Sequence, residues 1–177
     1  MLTVGDKLPE FSLKACISRD PGREFATITH ESFPGKWLVL FFWPLDFSPL
    51  CPTELEEFSA QHEQFASRNA VVLGASLDSK YAHLNWKNTD PRLKDVNFPL
   101  LSDVKRELTS ALGILHKSEG VPLRATFLID PEGVIRFACA NDLPTGRSVP
   151  EIIRSLDALQ TGEPCPVNWQ KGQKTLS

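Results

Sequence analysis

The chain has 177 residues, of which 41% are hydrophobic and 23% are charged, and its formal net charge is −3. This length and composition predict a folded protein with one sizeable core, and the slightly acidic balance argues against binding to nucleic acid or through a basic face to a membrane. No apolar run approaches the ~18 residues of a membrane-spanning helix. Charges interrupt the apolar stretches at the N-terminus, so no export signal is expected, and a reducing cytoplasm is the expected compartment.

In chain order, the sequence alternates strand patterns with helix patterns. Alternating polar and apolar residues predict extended segments at 11–17 and 25–28, and a continuous apolar run predicts a buried strand at 37–42. The elements expected after them are a helix at 52–66, a strand at 71–76, a helix at 79–88, a short apolar segment at 98–101, a helix at 103–112, and strands at 125–129 and 134–140. We therefore expect an α/β protein with a thioredoxin-like fold, in which helices flank a central mixed β-sheet.

The last helix carries its own boundary signals. Ser148 followed by Glu151 has the form of a capping box, and Gly162 suits the residue that ends a helix. The segment 164–177 shows no helical period and is predicted to be an extended C-terminal arm. With no linker or repeat in between, residues 1–177 are expected to form a single domain, with 162–177 as the arm.

Cys51 lies where a proline-rich turn after the strand at 37–42 leads into the next helix. Pro52 suits the first helical position, which puts Cys51 at or beside the N-cap, although Thr53 with Glu56 offers an alternative capping box two residues later. On either interpretation the sulfur lies near the positive end of the helix, which favours the nucleophilic thiolate. A cysteine after an apolar strand is often an inert hydrophobe, but here the turn also places the hydroxyl of Ser48 three positions before the thiol.

The cysteine pattern favours catalysis over structural disulfides or a structural zinc site. The four cysteines are Cys16, Cys51, Cys139 and Cys165, none of them in a Cys-x-x-Cys pair, and the histidines show no metal-ligand spacing. Cys16 and Cys139 lie in alternating segments, so both are predicted to be packed thiols.

Three further observations lead to a family. The segment Phe42–Glu54 resembles the active-site motif of the peroxiredoxins, Val121–Asp130 resembles their catalytic-arginine strand, and Gly162–Trp169 resembles the resolving-cysteine motif of the typical two-cysteine subgroup. Asn141–Ser148 also resembles the segment before their late helix. The motifs span residues 44–169 in the family's order, and the resemblance is closest to the bacterial alkyl hydroperoxide reductase C-type proteins. Ser48 is a departure, because most members carry threonine there, but the hydroxyl is kept.

The resemblance implies the reaction and its residues. Hydrogen peroxide or an organic hydroperoxide would oxidise Cys51 to a sulfenic acid. The implied roles are these: Cys51 is the peroxidatic nucleophile, Cys165 of the partner subunit resolves the sulfenic acid, Arg124 stabilises the thiolate and holds the peroxide, Ser48 hydrogen-bonds the peroxide, Pro44 shields the sulfenate, and Glu54 orients Arg124. The first helical turn is expected to unwind, because a disulfide needs Cα atoms within ~7 Å. Neither cofactor nor metal is implied.

The resemblance also implies partners. These are a hydroperoxide substrate, a reductant that is either thioredoxin or a flavoprotein-type reductase, and a second copy of the chain in a homodimer, with a decameric ring as a possibility. Two other functions are alternatives to peroxide reduction. A dithiol oxidoreductase would need Cys-x-x-Cys and a cis-proline before the hairpin strand, and the chain instead reads Leu50-Cys51-Pro52-Thr53. A ring-forming holdase chaperone, in which the thiol only reports redox state, stays open as a second role.

Overall fold

A computed structural model, which describes all 177 residues, contains one seven-stranded sheet. The strands are β1 (Ser12–Cys16), β2 (Phe25–Thr29), β3 (Trp37–Phe42), β4 (Ala70–Ser76), β5 (Leu100–Ser102), β6 (Arg124–Ile129) and β7 (Ile135–Asn141). The helices are α1 (Cys51–Ala60), α2 (His62–Ala66), α3 (Lys80–Thr89), α4 (Glu107–Ala111) and α5 (Val149–Thr161). None of the helices is both long enough and apolar enough to cross a bilayer.

The sheet is mixed, as the sequence predicts. Its strand order is β2-β1-β5-β4-β3-β6-β7, with β3, β4 and β5 parallel and every other pairing antiparallel. The last two strands form the predicted hairpin. The carboxylate of Asp130 closes its turn by accepting hydrogen bonds from the backbone N–H groups of Glu132 and Val134. The α/β, thioredoxin-like prediction is therefore confirmed.

A hydrophobic layer lies on each face of the sheet. On one face Phe41 stacks on Phe58 of α1, with ring centroids 4.0 Å apart, and Leu156 of α5 joins the same layer. On the other face Leu40 and Phe127 belong to a second buried cluster. Side chains of β3 are buried on both faces, which explains why this central strand reads as a continuous apolar run rather than as an alternating one.

The prediction of one helix over 52–66 is wrong at one residue. The backbone at Gln61 has φ −92° and ψ 9°, so α1 ends there and the short α2 begins. The apolar face continues across the break, because Phe58 and Phe65 lie in the same core with ring centroids 6.0 Å apart. The periodicity in the sequence is therefore real, but no proline or glycine marks the bend.

The helix expected at 103–112 is shorter, because Asp103 caps it from a distance. Its carboxylate accepts hydrogen bonds from the backbone N–H groups of Leu108 and Thr109, and Arg106 adopts the left-handed conformation with φ 61°. The helix therefore begins only at Glu107. Val104, which matches the helical spacing, is 59% exposed and lies outside the helix.

The last helix has the predicted ends but only half of the predicted capping box. The Ser148 hydroxyl accepts from the backbone N–H of Glu151, and Gly162 ends the helix with φ 67°. The Glu151 carboxylate does not return to Ser148, because it pairs with Arg154 instead.

The C-terminal arm has no regular secondary structure, yet it is not extended. Trp169 is buried, with 4% of its surface exposed, and the backbone N–H of Leu176 donates to the Pro164 carbonyl over 2.9 Å. The arm therefore folds back on itself against α5. The expectation of an extended arm was wrong because Trp169 anchors the arm, and a single buried residue leaves no periodic pattern in the sequence.

Candidate active site

The site lies at the edge of the sheet where β3 ends. Phe41 of β3 pairs with Thr126 of the antiparallel β6, so Arg124, two residues earlier, comes to lie beside the turn that follows β3. The same turn leads into α1 and its first residue, Cys51. The sheet register thus brings together two side chains that are 73 residues apart in the chain.

Cys51 is the first residue of α1, and Leu50 occupies the N-cap without any side-chain capping bond. The alternative capping box is absent, because the Thr53 hydroxyl donates to the carbonyl of Leu50 instead. As a first helical residue, Cys51 has a backbone N–H without an intrahelical acceptor. Its thiol is fully buried at 0% exposure, so the sulfur lies in a dry site at the positive end of a helix.

Arg124 contacts the sulfur directly. Its Nη1 lies 3.3 Å from Sγ of Cys51 and 2.8 Å from Oε2 of Glu54, while its Nε donates to the carbonyl of Leu143 over 2.6 Å. The side chain is almost fully buried, and these contacts fix its planar fork from two sides. The structure therefore brings the predicted residues Cys51, Arg124 and Glu54 together.

Arg147 is a member of this cluster that the sequence did not single out. Its Nε and Nη2 donate to the two oxygens of Glu54 over 2.9 and 2.7 Å, and its backbone N–H donates to Oε1 over 3.0 Å. The guanidinium also lies 4.9 Å from the ring centre of Phe41. The expected pairing of Glu54 with Arg124 gave no position for a second arginine. Arg147 could not be found from its spacing in the sequence, because it lies 93 residues from Glu54.

The two arginines and one glutamate of this cluster carry a net positive charge. Two guanidinium groups, on Arg124 and Arg147, surround the single carboxylate of Glu54, and all three side chains are nearly excluded from water. One positive charge is left in excess beside Cys51. Arg124 therefore presents to the Cys51 sulfur a positive charge that no carboxylate of the cluster balances.

Ser48 and Pro44 belong to the turn between β3 and α1. The Ser48 hydroxyl is buried, and its oxygen has no hydrogen-bond partner within the chain. Burying a hydroxyl in that state is unfavourable, so its free donor and lone pairs suit a polar molecule bound at the turn. Pro44, in the same turn, is also buried.

A buried network that the sequence did not reveal supports this turn. The Asp46 carboxylate accepts from the indole N–H of Trp43 over 2.9 Å and lies 2.7 Å from Nδ1 of His83 on α3. The other ring nitrogen of His83 faces the carbonyl of Leu101 and must donate to it. Burial raises the pKa of Asp46, although the contacts with His83 and Trp43 act the other way. The network fastens the turn to α3 and β5.

Cys165 is the one predicted site residue that lies away from the cluster. Its Sγ contacts the carbonyl of Ala158 at 3.8 Å and the hydroxyl of Thr161 at 3.4 Å. Arg147 marks the N-terminal end of α5, and Ala158 is nine residues beyond Val149, roughly 14 Å along the helix axis. The Cys165 thiol therefore contacts the part of α5 that is remote from the cluster.

The remaining cysteines differ from each other. All four cysteines are free thiols. Cys16 is fully buried, as predicted, whereas Cys139 on β7 is half-buried, so the prediction of a packed thiol is confirmed for the first and holds in part for the second. Burial raises the pKa of both thiols. No group of three or more histidine, cysteine or carboxylate side chains is arranged to hold a metal ion.

The chain is similar to known proteins over nearly its whole length. A family model described as the AhpC/TSA family matches residues 4–138. Alkyl hydroperoxide reductase C of Mycobacterium tuberculosis is 46% identical over 184 residues, covering 99% of this chain and 94% of that protein. Thioredoxin peroxidase of Fasciola hepatica is 44% identical over 183 residues, covering 99% and 92%. The solved structure of the reduced 2-Cys peroxiredoxin of Plasmodium vivax has a TM-score of 0.91 at 37% identity, covering 99% of this chain and 93% of that one.

Proposed function

Because the chain belongs to the AhpC/TSA family of peroxiredoxins, we propose that Cys51 is the nucleophile with which it reduces hydroperoxides. The activity itself, thiol-dependent reduction of a peroxide, is that of the family. The observation that carries the assignment of Cys51 is its contact with Arg124, 3.3 Å from Nη1 to Sγ, in a buried cluster with one positive charge in excess.

In the first step, the Cys51 thiolate attacks one oxygen of the peroxide. A sulfur–oxygen bond forms, the oxygen–oxygen bond breaks, and the leaving oxygen takes a proton as water or an alcohol, which leaves a sulfenic acid on Cys51. Negative charge moves from sulfur to the leaving oxygen during this attack, so donors placed along that path lower the barrier. Arg124 and the unpartnered hydroxyl of Ser48 are such donors, while buried Pro44 keeps water from the sulfenic acid.

Glu54 acts through the arginines rather than on the substrate. It accepts hydrogen bonds from both Arg124 and Arg147 and so holds the first in contact with the sulfur. We therefore assign Glu54 and Arg147 as positioning residues and Cys51, Arg124 and Ser48 as residues that touch the reacting atoms.

In the second step, Cys165 attacks the sulfenic acid and forms a disulfide with Cys51. The Cys165 thiol contacts α5 at Ala158, roughly 14 Å along the helix from its active-site end, and this position supports a Cys165 from a second copy of the chain. The protein would then work as a homodimer, with 162–177 as the arm that carries the resolving thiol. Since Cys51 is fully buried, the first turn of α1 must open before any second thiol reaches it.

The disulfide has to be reduced again for turnover. The family relationship indicates a peroxide substrate and a thioredoxin-type reductant. Within that class, thioredoxin itself or a flavoprotein-type reductase would serve. A decameric ring is the further assembly proposed for the dimer, and the cytoplasm is the proposed compartment. A redox-dependent holdase chaperone would use the same thiol but would not consume peroxide catalytically.

Peroxide consumption with an added thioredoxin system tests the proposal. Cys51→Ser should abolish turnover while leaving the fold intact, because a serine hydroxyl does not ionise near neutral pH. Cys139→Ser is the matched control and should retain full activity. Appreciable turnover by the Cys51→Ser protein would remove Cys51 from the role of nucleophile.

A further inference from the structure

The turn that carries Ser48 is strained at the residue before it. Phe47 has φ 60°, in the left-handed region that residues with bulky side chains rarely adopt. A backbone conformation of this kind persists only where its surroundings fix it, and residues of this kind cluster at functional sites. Because Phe47 directly precedes Ser48, its conformation sets the direction in which Ser48 leaves the turn.

Asp46 fixes the turn on one side of Phe47. Its Oδ2 lies 2.7 Å from Nδ1 of His83, its Oδ1 accepts from the indole N–H of Trp43 over 2.9 Å, and its backbone N–H donates to the carboxylate of Asp78 over 2.9 Å. The side chains of Asp46 and His83 are 1% and 0% exposed, so water does not compete for their hydrogen bond. Asp46 is therefore fastened to the end of β3, to α3 and to the segment that follows β4.

Helix α3 fixes the turn on the other side. His83 and Trp86 are three residues apart on α3, so they share one face of the helix. The ring of Phe47 packs on that of Trp86, with ring centroids 5.9 Å apart. The same helix face thus holds the strained residue directly through Trp86 and holds its neighbour Asp46 through His83.

We propose that Asp46 and His83 are positioning residues for the oxidation of Cys51, because their hydrogen bond holds the turn with Phe47 left-handed and so keeps the Ser48 hydroxyl aimed at the peroxide. This rests on the proposed role of Ser48 as a donor to the substrate. The Ser48 hydroxyl is buried and has no hydrogen-bond partner within the chain, so its direction depends on the backbone of the turn. Asp46 and His83 act through that backbone and not on the peroxide.

The rate at which peroxide oxidises Cys51 tests the proposal. Reduced full-length protein is mixed with hydrogen peroxide and quenched at intervals with acid and a thiol-alkylating reagent, and the remaining Cys51 thiol is counted by peptide mass mapping. Asp46→Ala should be oxidised about tenfold more slowly than the wild type, since a misplaced donor no longer assists the attack. His83→Leu keeps the buried volume but removes the donor to Asp46, and it should be slowed by a similar factor.

Asp46→Asn separates position from charge. Its amide oxygen still accepts from Trp43, its amide N–H donates to Nδ1 of His83, and Nε2 of His83 still donates to the carbonyl of Leu101. Asp46→Asn should therefore recover most of the rate that is lost in Asp46→Ala.

Asp157→Ala on α5 is the matched control for lost stability. It removes another buried carboxylate, one that pairs with Arg68 far from the turn in the chain. Urea should unfold this variant more easily than the wild type, but its Cys51 should be oxidised at the wild-type rate. If Asp157→Ala were slowed as much as Asp46→Ala, lost stability would explain both results and the proposal would fail.

Combining Asp46→Ala with Ser48→Ala shows whether the pair acts through Ser48. Ser48→Ala alone should be about tenfold slow, and adding Asp46→Ala should slow it by less than about twofold more, because the two changes remove the same contact. Losses that multiply in full would overturn the proposal. So would a wild-type rate in Asp46→Ala or His83→Leu, or an Asp46→Asn protein as slow as Asp46→Ala. A wild-type rate in Ser48→Ala would instead contradict the proposed role of Ser48 in the reaction, and the positioning proposal would fail with it.

Discussion

At the scale of single residues, the chemistry of the site follows from a count of charges. Arg124 and Arg147 enclose Glu54, and the net positive charge that remains lies 3.3 Å from the Cys51 sulfur. A buried ion is costly unless it is paired, so the loss of any one charge of the cluster should have a measurable effect. Each member of the cluster can be tested by its own substitution.

Arg124→Ala should slow oxidation of Cys51 by more than tenfold. It removes the hydrogen-bond donor and the positive charge nearest the sulfur, and each tenfold loss of rate corresponds to about 1.4 kcal/mol of transition-state stabilisation. The rate of thiol loss after mixing with peroxide measures this directly. An unchanged rate would show that Arg124 serves only the fold.

Glu54→Gln should lower the free energy of unfolding by about 3–5 kcal/mol, because it leaves two buried guanidinium groups without their carboxylate. Urea denaturation at pH 7 measures the loss. Glu56→Gln, on the exposed side of the same helix, is the matched control and should change stability by less than about 0.5 kcal/mol. Equal stability of the two variants would mean that the cluster is held together by something other than Glu54.

The sequence predicted some of these residues and missed others for a physical reason. Cys51 and Ser48 lie close together in the chain, so their pattern is local and readable. Arg124 was found through its family motif, and the sheet register then explains its place. Arg147 and the Asp46–His83 pair were missed because long-range packing, not spacing, brings them to the site.

At the scale of elements, the strands were predicted better than the helices. β3 matches its expected bounds because a central strand buried on both faces leaves an unambiguous apolar run. The break at Gln61 and the late start of α4 were missed because neither is marked by glycine or proline. The folded-back arm was missed because Trp169 is its single buried residue, and one buried residue leaves no periodic pattern in the sequence.

The β6–β7 turn should make stability sensitive to acid. Burial acts to raise the pKa of Asp130, but the N–H of Val134 and the guanidinium of Arg136 outweigh it and hold the pKa below the usual range. A carboxyl with a lowered pKa in the folded state contributes stability above its unfolded pKa of about 3.9, and this is lost as pH falls through the folded value.

Asp130→Asn should therefore be less stable than the wild type at pH 7, and the difference should shrink as pH falls toward 3. Urea midpoints at pH 7, 4 and 3 measure it, with Glu132→Gln on the same turn as the exposed control. A difference that stays constant over this range would mean that the ionised carboxylate of Asp130 does not stabilise the hairpin.

At the scale of the whole molecule, the two proposed thiols lie in different parts of the chain. Cys51 is buried at the edge of the sheet, whereas Cys165 lies on the arm beside the later turns of α5. The proposed catalytic cycle therefore uses a second copy of the chain and an opening of the first turn of α1. Cys16 and Cys139 take no part in this account.

Mapping the disulfide after one equivalent of peroxide tests the central claim most directly. Oxidised protein should run as a covalent dimer on a non-reducing gel, and peptide mass mapping should join Cys51 of one chain to Cys165 of the other. Cys165→Ser should remove the dimer, whereas Cys16→Ser and Cys139→Ser should retain it. A monomeric band that carries a Cys51–Cys165 link, or a dimer joined through Cys16 or Cys139, would contradict the account.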